Sequence, residues 1–297
     1  MRSTTPSHVL VPPEPSAPAC SAHSPEVQHV QILAMGSTLL ERLLTAPPEA
    51  GHVHSVFARA LNILWYDNRL LALHGPGPLA APFAASLSCL PTAERVLPGA
   101  PVRRLNGQIL FGALAVAWGG SASVDTRLPP TNEPPGILAS VVPPLAILPT
   151  GACLSPSHGL RAQRLVAEGI ECHKVTSFLE GACGLIGLGE GLTPSGDDFL
   201  VGVLAVLHRF DHAWLAAHHP EIRGRIAAAA QKDTTTVGRE FILHALEGSF
   251  SESVLRLLTA VSGFEARCAA INLRTMGATS GAATLYGIAL AIEALQP

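Results

Sequence analysis

The chain has 297 residues, of which 48% are apolar and 14% are charged, and its formal net charge is −3. This charge balance excludes the basic surface that nucleic acids or anionic membranes require, so neither is an expected partner. The six cysteines are scattered and contain no C-x-x-C pair, which favours reduced thiols in a cytoplasmic protein over a disulfide scaffold or a zinc ribbon.

The first half of the chain carries strand signals after a polar start. Residues 1–28 are proline-rich and without period, which predicts a disordered tail. Apolar residues at roughly helical spacing predict a helix within residues 27–44. Two hairpins follow, one over residues 62–73 with an Asp-Asn turn and one over residues 102–118 with the stronger Asn-Gly turn. Residues 29–150 are therefore predicted to form a β-rich domain.

The second half carries helix signals. Residues 128–149 are dense in proline and predict an irregular connection. Helical patterns then predict helices over residues 159–181 (one or two helices), 195–210, 221–232, 237–247, 252–261 and 280–295. Strands first and helices second indicate an α+β fold: a β-rich N-terminal half followed by a mainly α-helical half over residues 151–297.

The most informative segment is the string GLIGLGEGLTPSGDDFL at residues 184–200. Four glycines lead into the start of an apolar helix. Thr193 precedes proline, so an extended backbone and a helix N-cap are predicted there. Pro194 suits the first helical position, and Ser195 with Asp198 gives an overlapping capping-box pattern.

A glycine-rich loop that leads into a helix N-terminus is typical of an anion site. The spacing is neither that of a P-loop nor that of a dinucleotide fingerprint. Because Asp197 and Asp198 would repel a bare anion, two interpretations remain open. Either these carboxylates hold a Mg²⁺ that bridges to a phosphate, or they accept N–H groups from a carbamoyl, ureido or amide ligand. The same pattern would also arise if it only capped the helix.

An internal repeat adds to this pattern. Residues 195–203 and 280–288 share Ser, Gly, Leu and Gly at identical spacing. On helices these positions form faces of small residues, which allow two backbones to approach closely. We therefore predict that the two helices pack together near Gly202 and Gly287 and bring both Ser-Gly starts close in space.

The string at residues 187–200 resembles the signature of a bacterial family that includes the AllH subunit of oxamate carbamoyltransferase. The GATSG string at residues 277–281 is similar to the second motif of that family, and Thr234–Thr236 lies where its threonine-rich segment is expected. Two departures stand out: Glu190 replaces a usual proline, and Ala283 replaces an acidic residue.

The resemblance implies a subunit that works with partner subunits in purine (allantoin) nitrogen breakdown, moving a carbamoyl group between phosphate and an amide nitrogen. The expected ligand is carbamoyl phosphate, oxamate or a ureide, and Mg²⁺ at Asp197 and Asp198 is the possible cofactor. The candidate catalytic residues are Ser195, Asp197 and Asp198. The candidate ligand-binding residues are Gly187, Gly189, Gly191, Thr193, Gly196, Thr279, Ser280 and Gly281.

Two other functions remain open at this point. The chain could be a non-catalytic assembly or ligand-sensing subunit, in which Ala283 marks the loss of an acidic catalytic residue. It could also be a metal-dependent hydrolase of a small amide or phosphate that uses Asp197, Asp198 and the His208/His212 pair, which lies at i, i+4 spacing on a helix.

Overall fold

A computed structural model describes residues 27–45, 49–90, 96–147 and 157–296. Most of the predicted proline-rich tail, through residue 26, lies outside these described residues. Strands occupy the chain up to Val124, and apart from one short helix between the first two strands, the helices follow from Ile137 onward. The predicted α+β architecture is therefore confirmed.

The N-terminal half is a closed sheet. Its strands are β1 (Gln28–Gly36), β2 (Glu49–Val56), β3 (Ala60–Trp65), β4 (Leu70–His74), β5 (Ala84–Leu87), β6 (Pro101–Leu105), β7 (Gln108–Phe111), β8 (Leu114–Ala117) and β9 (Ala122–Val124). The spatial order is β5-β4-β3-β2-β6-β7-β8-β1-β9, and β5 also pairs with β1. This last pairing closes eight strands into a barrel and so leaves few exposed sheet edges.

Both predicted hairpin turns are present in the barrel, but the segment predicted as the second arm of the later hairpin folds into two antiparallel strands, β7 and β8. Strands β3 and β4 pair antiparallel around a turn at Asn68, and β6 and β7 pair around Asn106 and Gly107. These three turn residues have positive φ angles of 63°, 49° and 77°, as tight hairpin turns require. The barrel is filled by the inward residues of its strands, among them Val30, Ile32, Ile63, Trp65, Leu73, Val102 and Val116.

The helix predicted for residues 27–44 is wrong in its first half. Residues Gln28–Gly36 form strand β1, and only Ser37–Thr45 form a helix, α1. Ile32 is fully buried whereas Leu33 is 45% exposed, so burial here alternates as in a strand. Pairing with β5, β8 and β9 decides the outcome, because β1 closes the barrel.

The C-terminal half is a helical bundle. Its helices are α2 (Ile137–Val141), α3 (Ser157–Glu171), α4 (Val175–Leu185), α5 (Ser195–Phe210), α6 (His212–Asp233), α7 (Thr236–Leu246), α8 (Glu252–Leu258), α9 (Gly263–Arg274) and α10 (Ser280–Ala294). Helix α5 is buried at every position from Ser195 to Leu207, so it is the central helix of the bundle. No helix among the described residues is both long and apolar enough to cross a bilayer.

Most predicted helices are found with small shifts, but α6 begins at His212, nine residues before its predicted start, and two helices were missed. Helix α9 was not predicted; its large apolar side chains Phe264 and Ile271 are exposed, and its buried residues are Ala266, Ala270 and Leu273. The segment predicted as an irregular connection also contains α2 and a 3-10 turn, Pro143–Leu145.

The two halves pack directly on one another. A small apolar cluster joins Leu70, Phe83 and Ala84 of the barrel to Val237 of α7. The chain between β9 and α2 adds a short ladder, in which Phe250 N–H donates to the Thr126 carbonyl at 2.8 Å. A largely apolar cavity, described below as the candidate functional site, lies at this junction.

Candidate functional site

The predicted contact between α5 and α10 is confirmed. A Cβ atom at Gly202 would overlap the carbonyl oxygen of Thr284 and lie 3.0 Å from the Ile288 nitrogen. A Cβ atom at Gly287 would likewise overlap the carbonyl oxygen of Phe199. Only glycine allows so close an approach of two helix backbones, so the repeated Ser-Gly-Leu-Gly pattern is a packing device.

This crossing brings the N-terminal ends of the two helices together. The Thr193 hydroxyl lies 2.7 Å from the Ser280 hydroxyl, within hydrogen-bonding distance. The predicted N-cap is displaced by one residue, because Pro194 occupies that position with an extended backbone (φ −51°, ψ 141°) and no side chain caps α5. The Thr193 hydroxyl is thus turned toward α10 instead of toward the backbone of its own helix.

A cavity of about 230 Å³ lies beside these two hydroxyls. Ala80 and Pro82 of the barrel cover one side, and the segment between α7 and α8 covers another. Most of the lining is apolar, including Phe241 and Phe250. The polar lining consists of one carboxyl group and five hydroxyl groups, from Asp198, Thr193, Ser249, Ser251, Ser280 and Thr284.

Among the residues that the structure describes, Asp198 is the only ionisable side chain in this lining. Burial raises the pKa of its carboxyl to about 8; the Ser280 and Thr193 hydroxyls pull it down, and the charge of Asp197 pushes it further up. Its Oδ2 atom is buried without a hydrogen-bond partner. An unpaired polar atom in such a position costs stability unless a group from outside the chain supplies its hydrogen bond.

Asp197, the neighbouring carboxylate, is occupied by the chain itself. Its Oδ1 atom accepts the Gly187 N–H at 2.7 Å, and its Oδ2 atom accepts the Thr234 hydroxyl. Burial raises the pKa of Asp197, and these two bonds act in the opposite direction. Asp197 therefore fastens the glycine-rich loop and the connection between α6 and α7 to the start of α5.

The glycines of the loop serve backbone packing. Cβ atoms at Gly187 and Gly196 would overlap the carbonyl oxygens of Asp233 and Leu185, and one at Gly189 would lie 2.7 Å from the Ser195 nitrogen. Gly191 has a φ of 93° and no neighbour within 4 Å of its Cβ position. None of these four glycines lines the cavity.

The structure thus divides the predicted site residues into two groups. Those that line the cavity are Thr193, Asp198, Ser280 and Gly281. Those outside the lining are Gly187, Gly189, Gly191, Ser195, Gly196, Asp197 and Thr279. Sequence reasoning missed Ser249, Ser251 and Thr284. Only Thr284 had a signal, since it lies in the repeated segment one helical turn after Ser280.

No lysine or arginine from the described part of the chain lines this cavity. Arg239 instead donates to the Asn68 carbonyl at 2.8 Å. The described residues contain no group of three or more His, Cys, Asp or Glu side chains that could hold a metal ion. Since Asp197 is occupied, a Mg²⁺ ion would find a single carboxylate here, and the His208/His212 pair does not reach the cavity. This arrangement gives no support to a metal-dependent hydrolase.

Two family models match the chain. The model described as AllH family N-terminal domain matches residues 31–125, which form the barrel, and the model described as oxamate carbamoyltransferase subunit AllH matches residues 185–292. The chain belongs to the AllH family. This membership supports a role as a carbamoyltransferase subunit, and the second match includes Asp198 and Ser280. No solved structure matches the chain.

Proposed function

We propose that this AllH-family chain is a carbamoyltransferase subunit whose cavity binds the amide-bearing end of a small ligand against Asp198. Such ends are the carbamoyl group of carbamoyl phosphate, the amide of oxamate and the ureido group of a ureide. The observation that carries this proposal is the lining: one carboxyl with an unpaired Oδ2 atom and five hydroxyls, with no cation among the described residues.

The protonation of Asp198 supports an amide ligand. With a pKa of about 8, the carboxyl is mostly protonated at neutral pH. A protonated carboxyl donates through its O–H and accepts through its other oxygen, which complements the C=O and N–H of a primary amide. When ionised, the same group accepts two N–H bonds. In either form Asp198 pairs with an amide, whereas its ionised form repels a phosphate.

The cavity also limits the size of the ligand. A volume of about 230 Å³ is below the usual range for sites that hold drug-sized molecules. It therefore favours a ligand, or a ligand end, of only a few heavy atoms. Thr193 and Ser280 would orient its polar atoms, and the apolar wall would exclude water from the transferred group.

The family description supports the rest of the proposal. The chain works with partner subunits in the cytoplasm, in the breakdown of purine (allantoin) nitrogen. Ser195, Asp197 and the loop glycines act as positioning residues that hold Asp198 and Thr193 in place, since they lie outside the cavity lining.

The test is ligand-induced stabilisation of the full-length chain by oxamate, measured as a shift in Tm. We expect a shift in the wild type that Asp198→Ala abolishes and Asp198→Asn partly keeps, because an amide side chain still offers a donor and an acceptor. Glu133→Ala is the matched control, because it removes one exposed carboxylate far from the cavity lining. No shift in the wild type, or an equal shift in Asp198→Ala, would contradict the proposal.

One observation favours a second candidate, a ligand-binding subunit without catalysis. Ala283 occupies the position in α10 that Asp198 occupies in α5, and it is fully buried. Of the two equivalent positions in the repeat, only that of Asp198 therefore carries a carboxyl. Carbamoyl transfer measured with the chain alone and then with its partner subunits separates the two candidates: ligand binding without turnover in both assays would favour this one.

A further inference from the structure

A second cavity, here named the arginine cleft, is lined by Arg69, Arg127 and Arg223. Its volume is about 310 Å³. Arg69 follows the turn between β3 and β4, and Arg223 projects from α6. Arg127 comes shortly after β9, so three distant segments supply one guanidinium each.

The positive charge of the cleft is not fully compensated. Arg69 Nε lies 3.2 Å from the Glu240 carboxylate, and Arg223 Nε donates to the Glu247 carboxylate at 2.6 Å. Across the described residues, the Arg127 guanidinium has neither a hydrogen bond nor an ion pair. His244, also in the lining, adds no charge at neutral pH, because burial and the nearby Arg69 lower its pKa to about 4.

Backbone contacts fix Arg127 in this position. Residue 127 forms a β-bridge with Ser249, and the next residue, Leu128, donates its N–H to the Gly248 carbonyl at 2.9 Å. Thr38, in the first turn of α1, closes the cleft from the barrel side. The exposed arginine is thus held by its own backbone and keeps its side chain free for a partner outside the chain.

The arginine cleft adjoins the cavity that contains Asp198. Ser249 lines both of them, so the segment between α7 and α8 forms a common wall. In the described residues, one side of this wall carries a carboxyl and hydroxyls without a cation, and the other side carries three guanidinium groups and one carboxylate, that of Glu247, which is paired with Arg223. The two cavities are therefore complementary in the ligand groups that they favour.

We propose that the arginine cleft binds a small oxyanion, namely the phosphate or carboxylate group of a substrate. Guanidinium groups present paired N–H donors that match the oxygens of a phosphate or a carboxylate. The proposal of oxyanion binding is supported by the three arginine side chains alone. Its assignment to a substrate of carbamoyl transfer rests on the function proposed above.

The test is titration of the full-length chain with inorganic phosphate and, separately, with acetate, followed by calorimetry at low ionic strength. We expect the wild type to bind at least one of the two ions, and the ion that binds tells a phosphate site from a carboxylate site. Arg127→Ala should weaken this binding about tenfold or more, as expected when a charge-assisted hydrogen bond is lost. Arg127→Lys should retain part of it.

Arg267→Ala is the matched control, since it removes one exposed arginine of α9 that does not line the cleft. Absence of binding of both ions to the wild type, or equal binding by Arg127→Ala and Arg267→Ala, would overturn the inference. Asp198→Ala keeps the two proposals apart: it should abolish the oxamate shift and leave phosphate or acetate binding unchanged. If oxamate binding depends on Asp198 while neither ion binds, only the arginine cleft is refuted.

Discussion

The crossing of α5 and α10 makes Gly287 a position where one methyl group should disrupt both stability and ligand binding. In Gly287→Ala the new Cβ would overlap the Phe199 carbonyl oxygen and lie 3.1 Å from the Phe199 Cα. Both atoms belong to the backbone of the central helix, so no side chain can rotate away. The two helices must instead separate by about 1 Å to restore an allowed contact.

The expected cost follows from this rigidity. Overpacking a well-packed core by one methyl group costs about 1–3 kcal/mol, and a backbone obstacle places Gly287→Ala at the upper end of that range. The gain from replacing a helical glycine with alanine, about 0.5–1 kcal/mol, offsets a small part of this cost. A net loss of about 2 kcal/mol in the free energy of unfolding is the expected result.

Urea unfolding of the full-length chain measures this loss. Gly224→Ala is the matched control, because Gly224 lies inside α6 and its Cβ position has no neighbour within 4 Å. It should stabilise the chain by about 0.5–1 kcal/mol. The reasoning is refuted if Gly287→Ala and Gly224→Ala unfold at the same urea concentration. Because the crossing also sets the distance between Thr193 and Ser280, Gly287→Ala should reduce the oxamate shift as well.

Two further predictions concern the adjacent carboxyl groups. The pKa of Asp198 rises from 3.8 to about 8 on folding, so between these pH values only the folded chain holds the proton. The stability that the protonated group contributes is therefore full below pH 3.8 and is lost as the pH rises toward 8. Relative to Asp198→Asn, the free energy of unfolding of the wild type, measured in urea, should fall by up to about 1.4 kcal/mol per pH unit over this window. Parallel pH profiles of the two proteins would contradict this prediction. Asp197→Ala should cost about 2–4 kcal/mol, because it removes two buried hydrogen bonds; an unchanged urea midpoint would contradict this.

Local signals were sufficient for much of the fold. The Asn106-Gly107 dipeptide predicts its hairpin because both residues adopt the positive φ angles that the turn needs. The bounds of α5 are also predicted correctly, since a proline and a polar first turn precede a long apolar run. Strand β1 was missed because its form depends on three partners that are distant in the sequence, and helical spacing alone does not reveal them.

The candidate site was predictable only in part, for a similar reason. The spacing of the Ser-Gly-Leu-Gly repeat alone predicts that the starts of α5 and α10 lie close together, and Thr193 and Ser280 meet there. The serines between α7 and α8 enter the cavity through the packing of the barrel on the bundle, for which the sequence contains no local pattern. The three arginines of the cleft are likewise 58 or more positions apart along the chain and meet only in the folded structure.

The contrast between Asp197 and Asp198 gives the strongest physical argument for function. The two residues are adjacent on α5 and are both aspartates, yet α5 turns by about 100° per residue and directs them to different surroundings. Both oxygens of Asp197 hold other segments of the chain, so the fold explains its burial. Asp198 lines the cavity, and its Oδ2 atom is buried without a hydrogen-bond partner, which costs stability that no hydrogen bond among the described residues offsets. A buried acid with an unpaired oxygen is typical of a ligand-binding site, because a bound ligand can supply the missing hydrogen bond.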